Sequence, residues 1–229
     1  MTRVLLLWLV AACAAAAQTA SPSAKGEHLQ VTLVSEDRQV AADEEFWVGL
    51  DFRLEPGWHV YWINPGDSGQ APTVKWGLPK GVVAGDIQWP KPERIAVASL
   101  VDYGYSDRVL FMAPMHADES VKGRLPISAD VHWLVCREVC IPGKAQLGIT
   151  LPVGKAEVDP EAHQLFEHFR KLVPESAPSS WQTASKSSGD EFVLDVKTGA
   201  RETNAQFFPL QELQIDNAAQ QRVTAKRDG

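Results

Sequence analysis

Cysteine is scarce in this 229-residue chain: there are three. Cys13 sits inside an apolar N-terminal stretch, so only Cys136 and Cys140 remain for a mature fold. With no second cysteine pair, a closed zinc site of four ligands lacks half of its usual thiolates. Positive charge is also short, 22 Lys and Arg against 29 Asp and Glu, for a net charge of −7. That balance argues against nucleic acid or anionic lipid as a partner, because both reward clustered Lys and Arg. Past the N-terminus no stretch reaches the ~18–20 apolar residues a spanning helix needs. There is no internal repeat, and helical periodicity is missing from the first 155 residues.

What is present at the start is an export signal. Arg3 opens it, Val4 to Ala12 is the apolar run, and Ala15-Ala16-Ala17 fits a cleavage site before Gln18, giving a signal peptide over residues 1–17. "VAAC" also gives Cys13 the spacing of a lipoprotein signal, although the alanines continue past it as in an ordinary cleavage region. Either way the chain is exported, and Cys13 lies outside the working fold.

Residues 29–34 and 46–54 alternate apolar with polar or carry β-branched side chains, the strand signal. "EPGWHVYWINPGDSGQAP" adds a turn at Pro56-Gly57, a short strand Trp58 to Ile63, then a Gly/Pro-rich loop. Further strand-like runs recur about every 10 residues up to "KAQLGITLPV". Such spacing predicts a mainly β chain folded as a sandwich over 28–155. The pattern changes at "DPEAHQLFEHFRKLVP" (159–174), where Leu165, Phe166, Phe169 and Leu172 recur at helical spacing. Asp159 is placed as N-cap, Pro160 as the first helical residue and Pro174 as the stop. Residues 156–190 therefore read as helix and linker, and 191–229 as the start of a second β-rich segment. That segment ends on an Asp228-Gly229 turn signal with no returning strand, so the chain is expected to continue in a longer protein.

The pair itself lies in "HWLVCREVCIPG" (132–143). In an extended strand residues four apart stand ~13 Å apart, whereas a disulfide needs Cα atoms within ~7 Å. A bond between Cys136 and Cys140 therefore requires a turn where the strand ends. Three uses stay open on spacing alone. As a staple, a five-residue ring contributes only about 2 kcal/mol. As a reagent, a small ring in an oxidising compartment suits thiol–disulfide exchange. As a metal clip, His132 with the two cysteines, or Met112, Met115 and His116 in "MAPMH", offers soft ligands for Cu(I).

"WLVCREVCIPGKAQLGITLPV", "GWHVYWINPGDSGQAPTVKW" and "DYGYSDRVLFMAPM" together resemble the N-terminal periplasmic domain of DsbD-type protein-disulfide reductases, on the ScsB-like side of that family, whose members are linked with copper tolerance. The resemblance spans residues 28–229. It implies an immunoglobulin-like fold, a periplasmic location, no cofactor, and Cys136 and Cys140 as the redox pair, with Cys140 meeting partners. It also implies those partners: the membrane-embedded and thioredoxin-like domains of such a reductase, and oxidised periplasmic thioredoxin-fold proteins. Attachment to the inner membrane would come through parts beyond this chain. Tyr103 and Tyr105 become candidates for an aromatic cap over the pair. Arg137, by its charge, and Glu138, as its opposite, become candidates for tuning the thiols.

Overall fold

The computed structural model describes residues 21–227. The signal peptide, Cys13 and the Asp228-Gly229 turn lie outside the described residues. Two antiparallel sheets face one another. One runs in the order β1 (Ser23–Gly26), β2 (Leu29–Ser35), β4 (Glu45–Leu54), β10 (Arg108–Ala117), β7 (Val82–Ala84). The other runs β12 (Cys140–Val153), β11 (Gly123–Cys136), β5 (His59–Gly66), β9 (Leu100–Ser106), β8 (Glu93–Val97), with β6 (Thr73–Gly77) pairing on β11. A minor ladder joins β3 (Asp37–Gln39) to β13 (Glu157–Val158). This is the immunoglobulin-like sandwich.

Alternation decides what fills it. On β4 Phe46, Val48, Leu50 and Phe52 point inward, and on β11 Ile127, Ala129, Val131, Trp133 and Val135 do. Phe52 meets Phe111 and Trp133 edge-on, with ring centroids 5.4 and 5.9 Å away. Strands of β-branched and aromatic residues with one buried face fit this layer arrangement.

Helix α1 (Pro160–Arg170) covers the outer side of the first sheet through buried Phe166 and Phe169. Leu110 and Met112 on β10 are therefore buried although they face away from the sandwich interior. Asp159 caps α1 as expected, its Oδ1 accepting from the backbone N–H groups of Glu161 and Ala162 at 2.9 and 3.2 Å. Arg38 Nε donates to its other oxygen at 2.9 Å, and chiefly this bond holds the Asp159 carboxyl below its ordinary range. A depressed pKa favours the charged form in the fold, so its contribution is full above the unfolded value and fades as pH falls through the folded one. Asp159→Asn keeps a capping oxygen but loses the charge. It is expected to melt a few degrees lower than the parent at pH 7, with the gap closing below the ordinary carboxylate value of about 3.9. Thermal melts across pH read this directly.

One expectation needs correcting. "WQTASKSSGD", assigned to the linker by its composition, contains β14 (Gln182–Ser188), which pairs with β15 (Glu191–Lys197) across Gly189-Asp190. Gly189 has φ +58°, as a two-residue hairpin turn requires. The strand is exposed throughout, so it has no apolar alternation to betray it. Residues 198–227 form no further strand, and part of them returns to the sandwich.

Candidate functional site

β11 and β12 form one long hairpin whose last register pair is Cys136 with Cys140. The three residues between them, Arg137, Glu138 and Val139, make the tip, closed by a bond from Arg137 N–H to Val139 carbonyl at 3.2 Å. The turn brings the two Cα atoms to 4.2 Å and the sulfurs into a disulfide. Cys136 is 2 % exposed, whereas Cys140 is open to solvent.

Register determines which side chains join them. Cys136 lies opposite His59 on β5, and Tyr61 lies opposite Gly104 on β9. Residues 59, 61, 102, 104 and 136 therefore share the outer face of the second sheet. There the Tyr61 hydroxyl stands 3.5 Å from Cys140 Sγ. A disulfide sulfur has no proton, so the tyrosine donates. Burial, reinforced by the nearby Asp102 carboxylate, pushes the Tyr61 hydroxyl up to about 12, and it stays a donor at neutral pH.

Asp102 is 1 % exposed and accepts from the Ser68 N–H at 3.0 Å and from the Ser68 hydroxyl at 2.9 Å. The buried His59 ring stacks edge-on against Tyr61 and puts Nε2 3.5 Å from Asp102 Oδ2, without hydrogen-bonding geometry. Gly69, with φ +85°, lies flat on the Tyr61 ring; a Cβ there would stand 2.0 Å from the ring's Cζ. A disulfide thus sits beside a fixed phenol, a buried carboxylate and a histidine.

The expected cap is therefore corrected. Tyr103 and Tyr105 have the opposite parity and point into the sandwich. The Tyr105 hydroxyl donates to Pro90 carbonyl at 2.6 Å and that of Tyr103 to Asn217 Oδ1 at 2.9 Å. Burial raises both phenols. Tyr61 is the tyrosine at the sulfur. Sequence reasoning passed over it, together with His59, Asp102 and Ser68. The signal was in "GWHVYWI": Trp58, Val60 and Trp62 are the apolar, inward set, which leaves His59 and Tyr61 on the other face.

Arg137 stacks its guanidinium over Trp58, 5.2 Å from the ring centroid, and Trp58 in turn stacks on His28. Its charge is thus held at the hairpin tip, while Glu138 is exposed. The copper ligands are not brought together. Met112 and Met115, three apart on one strand, face opposite sides of the first sheet, buried on both. His116 lies 3.7 Å from Asp43, and His132, on the other sheet, 3.4 Å from Asp130. Cys136 lies a further four residues along extended β11 from His132, and residues so spaced do not converge.

Residues 30–152 match the family described as thiol:disulfide interchange protein DsbD, N-terminal. Among solved structures, the chain is similar to the N-terminal periplasmic domain of ScsB from Proteus mirabilis, with a TM-score of 0.60 and 20% identity over 79% of this chain and 68% of that one. It is also similar to the Neisseria meningitidis DsbD N-terminal domain in the reduced form, with a TM-score of 0.30 and 14% identity over 56% of this chain and 89% of that one. No curated protein matches the sequence.

Proposed function

Since the chain belongs to the family of DsbD N-terminal domains, matched over more than half its length, we propose that it works in the periplasm, receiving electrons from a membrane reductase and passing them to oxidised proteins through Cys136 and Cys140. That it is a thiol–disulfide exchange domain is the family's property; the direction of flow and the residues are our reading. Its main support is the hairpin tip, where one sulfur is exposed, its partner is buried and a phenol donates to the exposed one.

The chemistry balances as two successive displacements. In the reduced pair the Cys140 thiolate attacks a partner disulfide, forming a mixed disulfide and releasing one partner thiolate, which takes up a proton. The Cys136 thiol then loses its proton and its thiolate attacks the Cys140 sulfur, forming the Cys136–Cys140 bond and releasing the second partner sulfur as a thiolate, which takes up a proton. Two electrons and two protons have moved to the partner. The thioredoxin-like domain of a DsbD-type reductase would reverse these steps to recharge the pair, and oxidised periplasmic thioredoxin-fold proteins would consume its electrons. The relative from Proteus mirabilis is itself a periplasmic domain, which supports the location.

A thiol titration against a glutathione redox series, with far-UV circular dichroism at both ends, tests the reading. The expected result is one two-electron transition of Cys136 and Cys140 with an unchanged spectrum, because a five-residue ring adds only about 2 kcal/mol. Wholesale unfolding on reduction would make the pair a staple. Thiols protected only when Cu(I) is supplied would make the domain a copper binder.

A further inference from the structure

The described part of the C-terminal segment does not hang free of the sandwich. Asn64 on β5 donates to the Pro209 and Gln211 carbonyls at 2.7 and 3.2 Å, and Phe208 packs edge-on against Trp62 and Tyr103. Arg94 on β8 donates to the Asn217 carbonyl at 2.6 Å. Asn217 is 5 % exposed on a stretch without regular structure. Its side chain bridges two places, accepting from the Tyr103 hydroxyl and donating through Nδ2 to Asp67 Oδ1 at 2.8 Å.

Asp67 opens a run of three residues with three separate attachments. Asp67 itself is tied to Asn217 and to the Val101 backbone, its Oδ2 accepting from Val101 N–H at 2.7 Å. Ser68 is tied to buried Asp102. Gly69 presses on the Tyr61 ring. The path from Asn217 to the sulfur is thus continuous: Asp67, Gly69, the Tyr61 ring, then the hydroxyl at Cys140 Sγ. Leaving either end of a buried amide unpaired is costly, so the two partners together hold the Asn217 side chain in place.

We propose that Asn217 is a positioning residue for the redox pair: the strap it anchors fixes the 67–69 loop, and the loop holds the Tyr61 hydroxyl against Cys140. This rests on the redox reading above. Its consequence is that a segment far along the chain sets how readily Cys140 forms a thiolate. A hydrogen bond donated to a thiolate favours the charged form, so loosening Tyr61 makes the thiolate harder to form.

The test is the pH profile of Cys140 alkylation by iodoacetamide in the reduced full chain, read by mass spectrometry. Trypsin cuts after Arg137 and puts the two cysteines on separate peptides. Tyr61→Phe should raise the midpoint by about one pH unit, the shift that loss of one hydrogen bond to a charged group gives. Asn217→Ala should raise it by part of that amount, and Arg94→Gln, which releases the same strap from its backbone side, should move it the same way. In the Tyr61→Phe background neither should add anything. Variants that lower thermal stability while leaving the profile at the parent's midpoint would overturn the proposal. So would an Asn217→Ala shift that persists undiminished without the Tyr61 hydroxyl. Exchange of the parent pair with glutathione, measured alongside, tells the two failures apart: no exchange removes the redox reading, whereas normal exchange with unmoved variants removes only the strap.

Discussion

The Cys136→Ala variant, reduced and mixed with an oxidised thioredoxin-like periplasmic protein, is expected to accumulate a covalent complex as a major species, and Cys140→Ala only a trace. Attack on a disulfide needs a sulfur that can approach along the partner's S–S axis. Cys140 is exposed at the start of β12, whereas Cys136 is 2 % exposed at the end of β11, opposite His59. Tyr61 touches Cys140, so the group that favours a thiolate sits at the sulfur expected to attack. Without Cys136 nothing resolves the mixed disulfide, and it persists. Without Cys140 the buried sulfur is left to attack, and a partner of protein size cannot reach it. A non-reducing gel shows the outcome. Equal trapping by both variants would remove the polarity, and trapping by neither would count against electron transfer through this pair.

What the sequence revealed and what it hid follow from how each element is buried. β4 and β11 bury one face against the other sheet, so their alternation is visible in "FWVGLDF" and "RLPISADVHWLV". α1 declares itself through Asp159-Pro160 and the Phe166/Phe169 spacing, because a cap and one apolar stripe are local features. β14 has no apolar face and, among the described residues, pairs only with β15, so its composition reads as a linker.

The site divides in the same way. The turn that a bond between Cys136 and Cys140 requires is legible because their spacing is local, whereas the use of the pair stayed open on spacing and came only with the family resemblance. The Tyr61–Asp102–Ser68 arrangement joins three chain segments, and only register across β5, β9 and β11 shows that they share a face. Choosing Tyr103 and Tyr105 instead was an error of parity: aromatic residues at alternate positions of a strand are more economically packed inward, and these two are. The tie from Asn217 to Asp67 spans 150 residues and has no signature in the sequence at all.

Gly69→Ala tests how tightly the loop holds Tyr61. Gly69 has φ +85°, a conformation that costs an L-residue about 1–2 kcal/mol. The new Cβ would also stand 2.0 Å from Cζ of a ring that is fully buried, and relief of such overpacking costs about 1–3 kcal/mol more. The expected loss is therefore about 2–5 kcal/mol in urea denaturation, large for a substitution at an exposed loop position. The two parts separate in a double-mutant cycle with Tyr61→Ala. Truncating the ring opens the space the new methyl needs but leaves the backbone unchanged. In that background Gly69→Ala should cost only the backbone part, a coupling of about 1–3 kcal/mol between the sites. If the alanine costs the same with and without the ring, the loop does not clamp Tyr61, and the hydroxyl at Cys140 is placed by β5 alone.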